Sequence, residues 1–238
     1  MTDQGTGRDA VLYGNNFGNG NVDNSTGKTV NRGGAGQAPE RATGARTTGA
    51  RATVAPELSR NVFVVHGRDE QVRREMFGLL RRLGLNPLEW EHLVGATGLP
   101  SPFIGEVVAH APSVAGAALV LLTPDDVAVL HDDLKGPAEP PHERTPFGQP
   151  RQNVLIELGM VLMAYPERTV IVEFGDVRPA SDLAGRNVIR FSADGNPVFA
   201  LRKVAQRLQV AGCPVDDRGN DWLDTDPFRD LGAYRRRG

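Results

Sequence analysis

The chain has 238 residues, enough for one well-filled α/β domain with an extra segment or for two small domains. A formal net charge of −2 with 24% charged residues is ordinary for a soluble globular protein and gives no basis for binding nucleic acid or a membrane surface. The single cysteine, Cys213, excludes an internal disulfide framework and fits a reducing compartment. No stretch reaches the roughly 18 apolar residues of a spanning helix. The start, MTDQGTGRDAV, lacks the basic and apolar regions of a secretory signal, so the expected location is the cytoplasm.

Residues 1–60 are rich in Gly, Asn, Thr, Ala and Arg and poor in large apolar side chains. Such a segment cannot bury enough surface to offset its ordering entropy alone. Within 1–36, Val11, Tyr13, Phe17, Val22 and Val30 are spaced among Asn and Gly. That spacing suits either a disordered tail or a short self-pairing β segment, in which stacked Asn ladders form. Residues 37–60 read as a flexible linker.

A regular pattern begins at residue 61. NVFVV, 61–65, is a short β-branched run that predicts a buried parallel strand. Residues 69–83 place Val72, Met76, Leu79, Leu80 and Leu83 at helical spacing, with Asp69 and Glu70 at the start and Gly84 at the stop. NPLEW, 86–90, predicts an edge strand because of Pro87. Ser101 and Pro102 open a short helix over 101–111. GAALVLLT, 116–123, is a central strand, and the proline-rich stretch 124–149 shows no periodicity and reads as a long loop. Pro150 precedes a helix over 151–164; RTVIVEF and NVIRF predict two more strands, and 197–211 a closing amphipathic helix. Residues 217–238 read as a loose C-terminal tail.

Strands alternating with helices across 61–216 predict an α/β domain: a doubly wound, flavodoxin-like sheet of five parallel strands in the order 2-1-3-4-5. Ligands of such sheets bind beyond the C-terminal strand ends, between strands 1 and 3. Two loops meet there, His66-Gly67-Arg68-Asp69 after the first strand and Thr123-Pro124-Asp125-Asp126 after the third. Gly67 permits close backbone approach, the helix start behind it favours an anion such as phosphate, and Arg68 adds a charged donor. His66 alone equally fits a loop imidazole bonded to a carbonyl, and the two aspartates equally fit caps or turns. Neither GxGxxG nor GxxxxGK[ST] is present, which removes a dinucleotide fold or P-loop of the usual kind. The five histidines show no metal-ligand spacing with Cys213 or with one another.

VFVVHGRDE, RRLGLNPLEW, LLTPDD and the block Arg151-Gln152-Asn153-Val154 with Glu157-Leu158-Gly159 occur in that order. Together they resemble the TIR-like family of predicted nucleotide-binding proteins, whose bacterial members include TIR effectors of cyclic-nucleotide-activated antiphage systems. The resemblance covers about residues 61–216 and implies the TIR fold of five parallel strands. It also implies cleavage of NAD+ at the nicotinamide–ribose bond, with Glu157 in the position of the family's catalytic glutamate. NAD+ is then a substrate and no cofactor is required. His66, Gly67, Arg68, Asp69, Thr123, Asp125, Arg151 and Asn153 become the expected binding residues. After the second strand this chain reads LVGATGLPSPFIGEVV, without the arginine that relatives carry there. A phosphate or ribose contact then falls to Arg68 or Arg151. The resemblance further implies a homo-oligomer or filament acting under an upstream sensor or cyclic-nucleotide signal. The segment 10–31 loosely resembles the amyloid-signalling motifs of some bacterial immune effectors.

The chemistry gives the lone carboxylate of an otherwise apolar helix a reason. Nicotinamide leaves NAD+ as a neutral ring, so no general acid is needed, and positive charge develops on the ribose. One anion in a water-poor site stabilises that charge. The opposing reading makes Glu157 a structural carboxylate paired with Arg151, His66 or a backbone donor. Two further functions stay open: a nucleotide or cyclic-nucleotide binding module without turnover, and an enzyme similar to nucleoside deoxyribosyltransferases.

Overall fold

The computed structural model describes residues 57–236; the expectations for the Asn- and Gly-rich segment and nearly all of the linker lie outside the described residues. In chain order the elements are β1 (Asn61–Val65), α1 (Glu70–Arg82), β2 (Asn86–Leu88), α2 (Trp90–Ala96), α3 (Ile104–His110), β3 (Ala117–Leu122), β4 (Asp126–Ala128), α4 (Pro141–Arg144), β5 (Phe147–Gln149), α5 (Gln152–Ala164), β6 (Thr169–Phe174), β7 (Ile189–Phe191) and α6 (Pro197–Val210).

Five strands form one parallel sheet in the order β2-β1-β3-β6-β7, which is the 2-1-3-4-5 order expected. Every residue of β3 is buried, as befits the middle strand of a sheet covered on both faces. Strand alternation divides the core. Val62, Val64, Leu119, Leu121, Val172 and Phe174 face α1 and α6. Phe63, Val65, Val120, Leu122 and Ile171 face α2, α3 and α5, meeting Leu93, Val107, Leu158 and Val161.

The structure differs from the sequence reading in four places. The edge strand stops at Leu88, because Trp90 already begins α2, a helix the reading did not contain. The next helix starts at Ile104 rather than Ser101; the Glu106 carboxylate accepts from the Phe103 amide at 2.7 Å and fixes that start. The stretch 124–149 closes on itself, with β4 and β5 paired antiparallel. Finally, the C-terminal stretch is not loose. Trp222, Phe228, Leu231 and Ala233 are all buried in the α1/α6 side of the core. Apolar residues spaced that widely give no periodic signal, yet each finds a place against the sheet.

Candidate functional site

Adjacent parallel strands bring the two loops together. β1 and β3 pair with Val65 opposite Val120, so their C-terminal ends stand side by side. The Arg68 amide donates to Asp125 Oδ2 at 2.7 Å, which locks the loop after β1 to the loop after β3. Gly67 is required for this bond: a Cβ there would stand 1.8 Å from Asp125 Oδ2. Thr123 is buried beneath, its hydroxyl 3.6 Å from that same Cβ position. His66 is half-buried, its Nδ1 2.9 Å from the Gly67 carbonyl and its ring edge-on to Phe77.

Asp69 sits differently from the expectation of a ligand-binding residue. One oxygen, Oδ1, accepts from the Val72 amide at 2.9 Å and caps α1. The other, Oδ2, accepts from Arg236 Nη1 at 2.5 Å. Both oxygens of this buried carboxylate are thus engaged by the protein. The helix start that the sequence offers to a phosphate is already capped by a carboxylate.

On α5 the arrangement is reversed. Arg151 stands at the N-cap and directs Nη1 toward Asp126 Oδ1, 3.7 Å away, rather than toward Glu157. Asn153 is exposed in the first turn. Val154, Leu158 and Val161 bury one face of the helix, which packs over β1 and β3. Glu157 lies half-buried beside that face, and its carboxylate makes no hydrogen bond or ion pair with any described residue. Burial alone pushes its carboxyl up to about 7, with no neighbouring cation to lower it. The partners considered for a structural Glu157 are engaged elsewhere, Arg151 with Asp126 and His66 with the Gly67 carbonyl. Gly159, two residues along, lies on the exposed outer face of the helix, where an added Cβ meets no atom of the described residues within 4 Å.

A family model for the TIR domain of the CAP12/Pycsar effector proteins matches residues 61–193. The chain belongs to this TIR-domain family of bacterial antiphage effectors. Escherichia coli (strain K12) holds a relative, described as "Uncharacterized protein YuaY", that is 31% identical over 163 residues. The alignment covers 67% of this chain and 48% of that protein, so the chain matches about half the length of this relative. A solved flavodoxin-like domain from Synechococcus sp. is similar over 63% of this chain and 92% of that one, at 13% identity and a TM-score of 0.31.

This TIR domain has a cavity of about 500 Å³ beside the C-terminal ends of β3 and β6 and the start of β7. Leu122, Leu155, Glu173, Arg178, Leu183 and Arg190 are among the residues around it, and Glu157 is not. Glu143 and Gln149 of the 124–149 stretch also line it, so that stretch walls this cavity. The two arginines are committed, Arg190 to Glu173 at 3.1 Å and Arg178 to Glu143. Burial raises the Glu173 carboxyl, and Arg190 partly opposes the rise. Sequence reasoning missed Arg236 as well. The signal was available in Trp222, Phe228 and Leu231, three large apolar side chains in a stretch otherwise polar enough to be read as a tail.

Proposed function

We propose that this TIR effector domain hydrolyses NAD+ at the nicotinamide–ribose bond, with Glu157 as the catalytic carboxylate. The observation that carries the reading is the state of Glu157: half-buried, without a side-chain partner among the described residues, and with its carboxyl raised to about 7 by burial. A group kept in that state lowers stability, and such groups concentrate at functional sites. In the proposed reaction the C1′–N bond of the ribosyl-nicotinamide breaks, and its electron pair stays on the ring nitrogen. Neutral nicotinamide leaves. The ionised Glu157 faces the oxocarbenium charge that develops at the ribose. Water then bonds to C1′ and releases one proton, which gives ADP-ribose. The approaching pyridinium is itself a cation and favours the ionised form of Glu157.

The reading extends to assembly. α5 is apolar around much of its circumference: Ile156 is 53% exposed and Met163 86% exposed. With the open space at Gly159 they form an outward apolar strip suited to a second copy of the chain. Packing there would exclude water beside Glu157 and strengthen its field.

The test is nicotinamide release from NAD+ by the full chain over a wide range of protein concentration, with Glu157→Gln alongside. Release that rises more steeply than linearly with concentration and is lost in the variant is the expected result. NAD+ binding without release at every concentration, unchanged in the variant, would favour a nucleotide-binding module instead. Exchange of free bases between deoxynucleosides without NAD+ consumption would favour the transferase reading.

A further inference from the structure

The family match ends at residue 193, but the chain beyond α6 returns to the candidate site. The Asp216 amide donates to the Leu83 carbonyl at 2.9 Å, at the far end of α1. Trp222 follows, buried against the core and anchored by its Nε1 to the Asp217 carbonyl at 3.1 Å. Phe228 packs on Phe191, which in turn stacks on Phe174 at the end of β6. The segment then crosses β6 in backbone contact. Gly175 has φ +71°, and a Cβ on it would meet the Ala233 carbonyl oxygen at 2.4 Å, so only glycine fits.

Two contacts bind this segment to the start of α1. Gln71 clamps its backbone, accepting from the Gly232 amide at 2.9 Å and donating to the Asp230 carbonyl at 3.2 Å. Arg236 then reaches Asp69, whose side chain is 2% exposed. A carboxylate buried to that degree is costly unless it is paired and hydrogen-bonded, and Arg236 is its one ion-pair partner among the described residues.

From these contacts we infer that residues 214–236 are a strap that sets the geometry of the His66–Asp69 loop, and that Arg236 is a positioning residue acting through Asp69. The loop is held from two sides. Asp125 grips the Arg68 amide from within the sheet, and Arg236 holds Asp69 from the strap. Arg236 has an electrostatic role too. Alone, the Asp69 carboxylate would put an uncompensated negative charge behind the His66–Arg68 loop that an anionic substrate approaches; the guanidinium cancels it. This second role rests on the NAD+ reading above, and the positioning role does not.

The experiment uses the full chain with Arg236→Met, Arg236→Lys, Asp69→Asn and the Arg236→Met/Asp69→Asn double variant. Two readouts are followed: amide hydrogen exchange in the β1–α1 loop, and kcat and KM for NAD+. Arg236→Met should speed exchange at Gly67 and Arg68 and raise KM about tenfold, with kcat changed little. Arg236→Lys should recover most of the KM. The double variant, with no uncompensated buried charge, should lie nearer the parent than Arg236→Met does. Unchanged exchange in Arg236→Met overturns the strap. A loss in kcat with KM unchanged, or effects of the two single variants that simply add, overturns the electrostatic role. If the parent chain releases no nicotinamide, the NAD+ reading fails, while the exchange data still decide the strap.

Discussion

Two neighbouring regions treat their carboxylates in opposite ways. In the loops after β1 and β3, Asp125 accepts from the Arg68 amide and Asp69 is engaged at both oxygens. On α5, Glu157 is half-buried with none of these bonds. The sequence presents all three as site residues, Glu157 as the catalytic one and the two aspartates as binding residues. The fold consumes two of them in its own architecture and leaves the third available. A carboxylate bonded by the protein supports a shape, whereas an unpaired one in apolar surroundings exerts its field on whatever binds next to it.

The sharpest way to break this comparison is Glu157→Gln. Nicotinamide release should fall by about 100-fold or more, the scale of losing one preorganised electrostatic group. Stability should move in the opposite direction. Burial raises the Glu157 carboxyl from an ordinary 4.5 to about 7. Between those values the folded protein holds more protons than the unfolded chain, so stability falls as pH rises through that window. Above pH 7 the full penalty is present, and it stays below about 3 kcal/mol because solvent reaches and screens the half-exposed carboxylate. Glu157→Gln should therefore raise the denaturation midpoint at pH 8 and leave it nearly unchanged at pH 4. A variant that is less stable at both pH values would show that Glu157 has a structural partner after all. If the proposed reaction holds, the same ionisation should govern the parent chain: kcat/KM for NAD+ should rise with pH through about 7, and a flat profile from pH 5 to 8 would remove Glu157 from the rate.

Why the sequence distinguished some of these features and not others has a physical basis. The sheet order was legible because buried apolar runs such as NVFVV and AALVLL alternate with helices, and parallel connections leave few topologies. Glu157 stood out as a lone charge in an apolar helix. The fates of Asp69 and Arg151 were not legible, because each depends on a partner set by tertiary structure: Arg236, distant in the chain, and Asp126, across the β4–β5 hairpin. The strap was hidden for a related reason. Trp222, Phe228 and Leu231 are too far apart to show a period, and their burial is decided by the surface they land on.

Gly67→Ala tests the other side of the comparison, with a smaller effect. The new Cβ cannot coexist with Asp125 Oδ2 where it now lies, so the bond to the Arg68 amide must break or the loops must separate. A loss of about 1–3 kcal/mol is expected in denaturant unfolding. If the loops are held as described, Gly67→Ala combined with Asp125→Ala should cost less than the two single changes added together, because one bond is lost only once. Strict additivity would mean that Gly67 and Asp125 act independently.

The smallest effect, and the one that best separates shape from use, belongs to Gly159. Glycine inside a helix costs up to about 1 kcal/mol relative to alanine. Among the described residues nothing requires it here, since an added Cβ meets none of their atoms within 4 Å. Gly159→Ala should therefore stabilise the isolated domain by several tenths of a kcal/mol in chemical denaturation. If a second copy of the chain packs on the exposed face of α5 that Gly159 shares with Ile156 and Met163, the same methyl group should shift the onset of nicotinamide release to higher protein concentration. A stabilised variant with full release at the parent's concentration would place the approach elsewhere on the domain, and the open space at Gly159 would then have no part in the reaction.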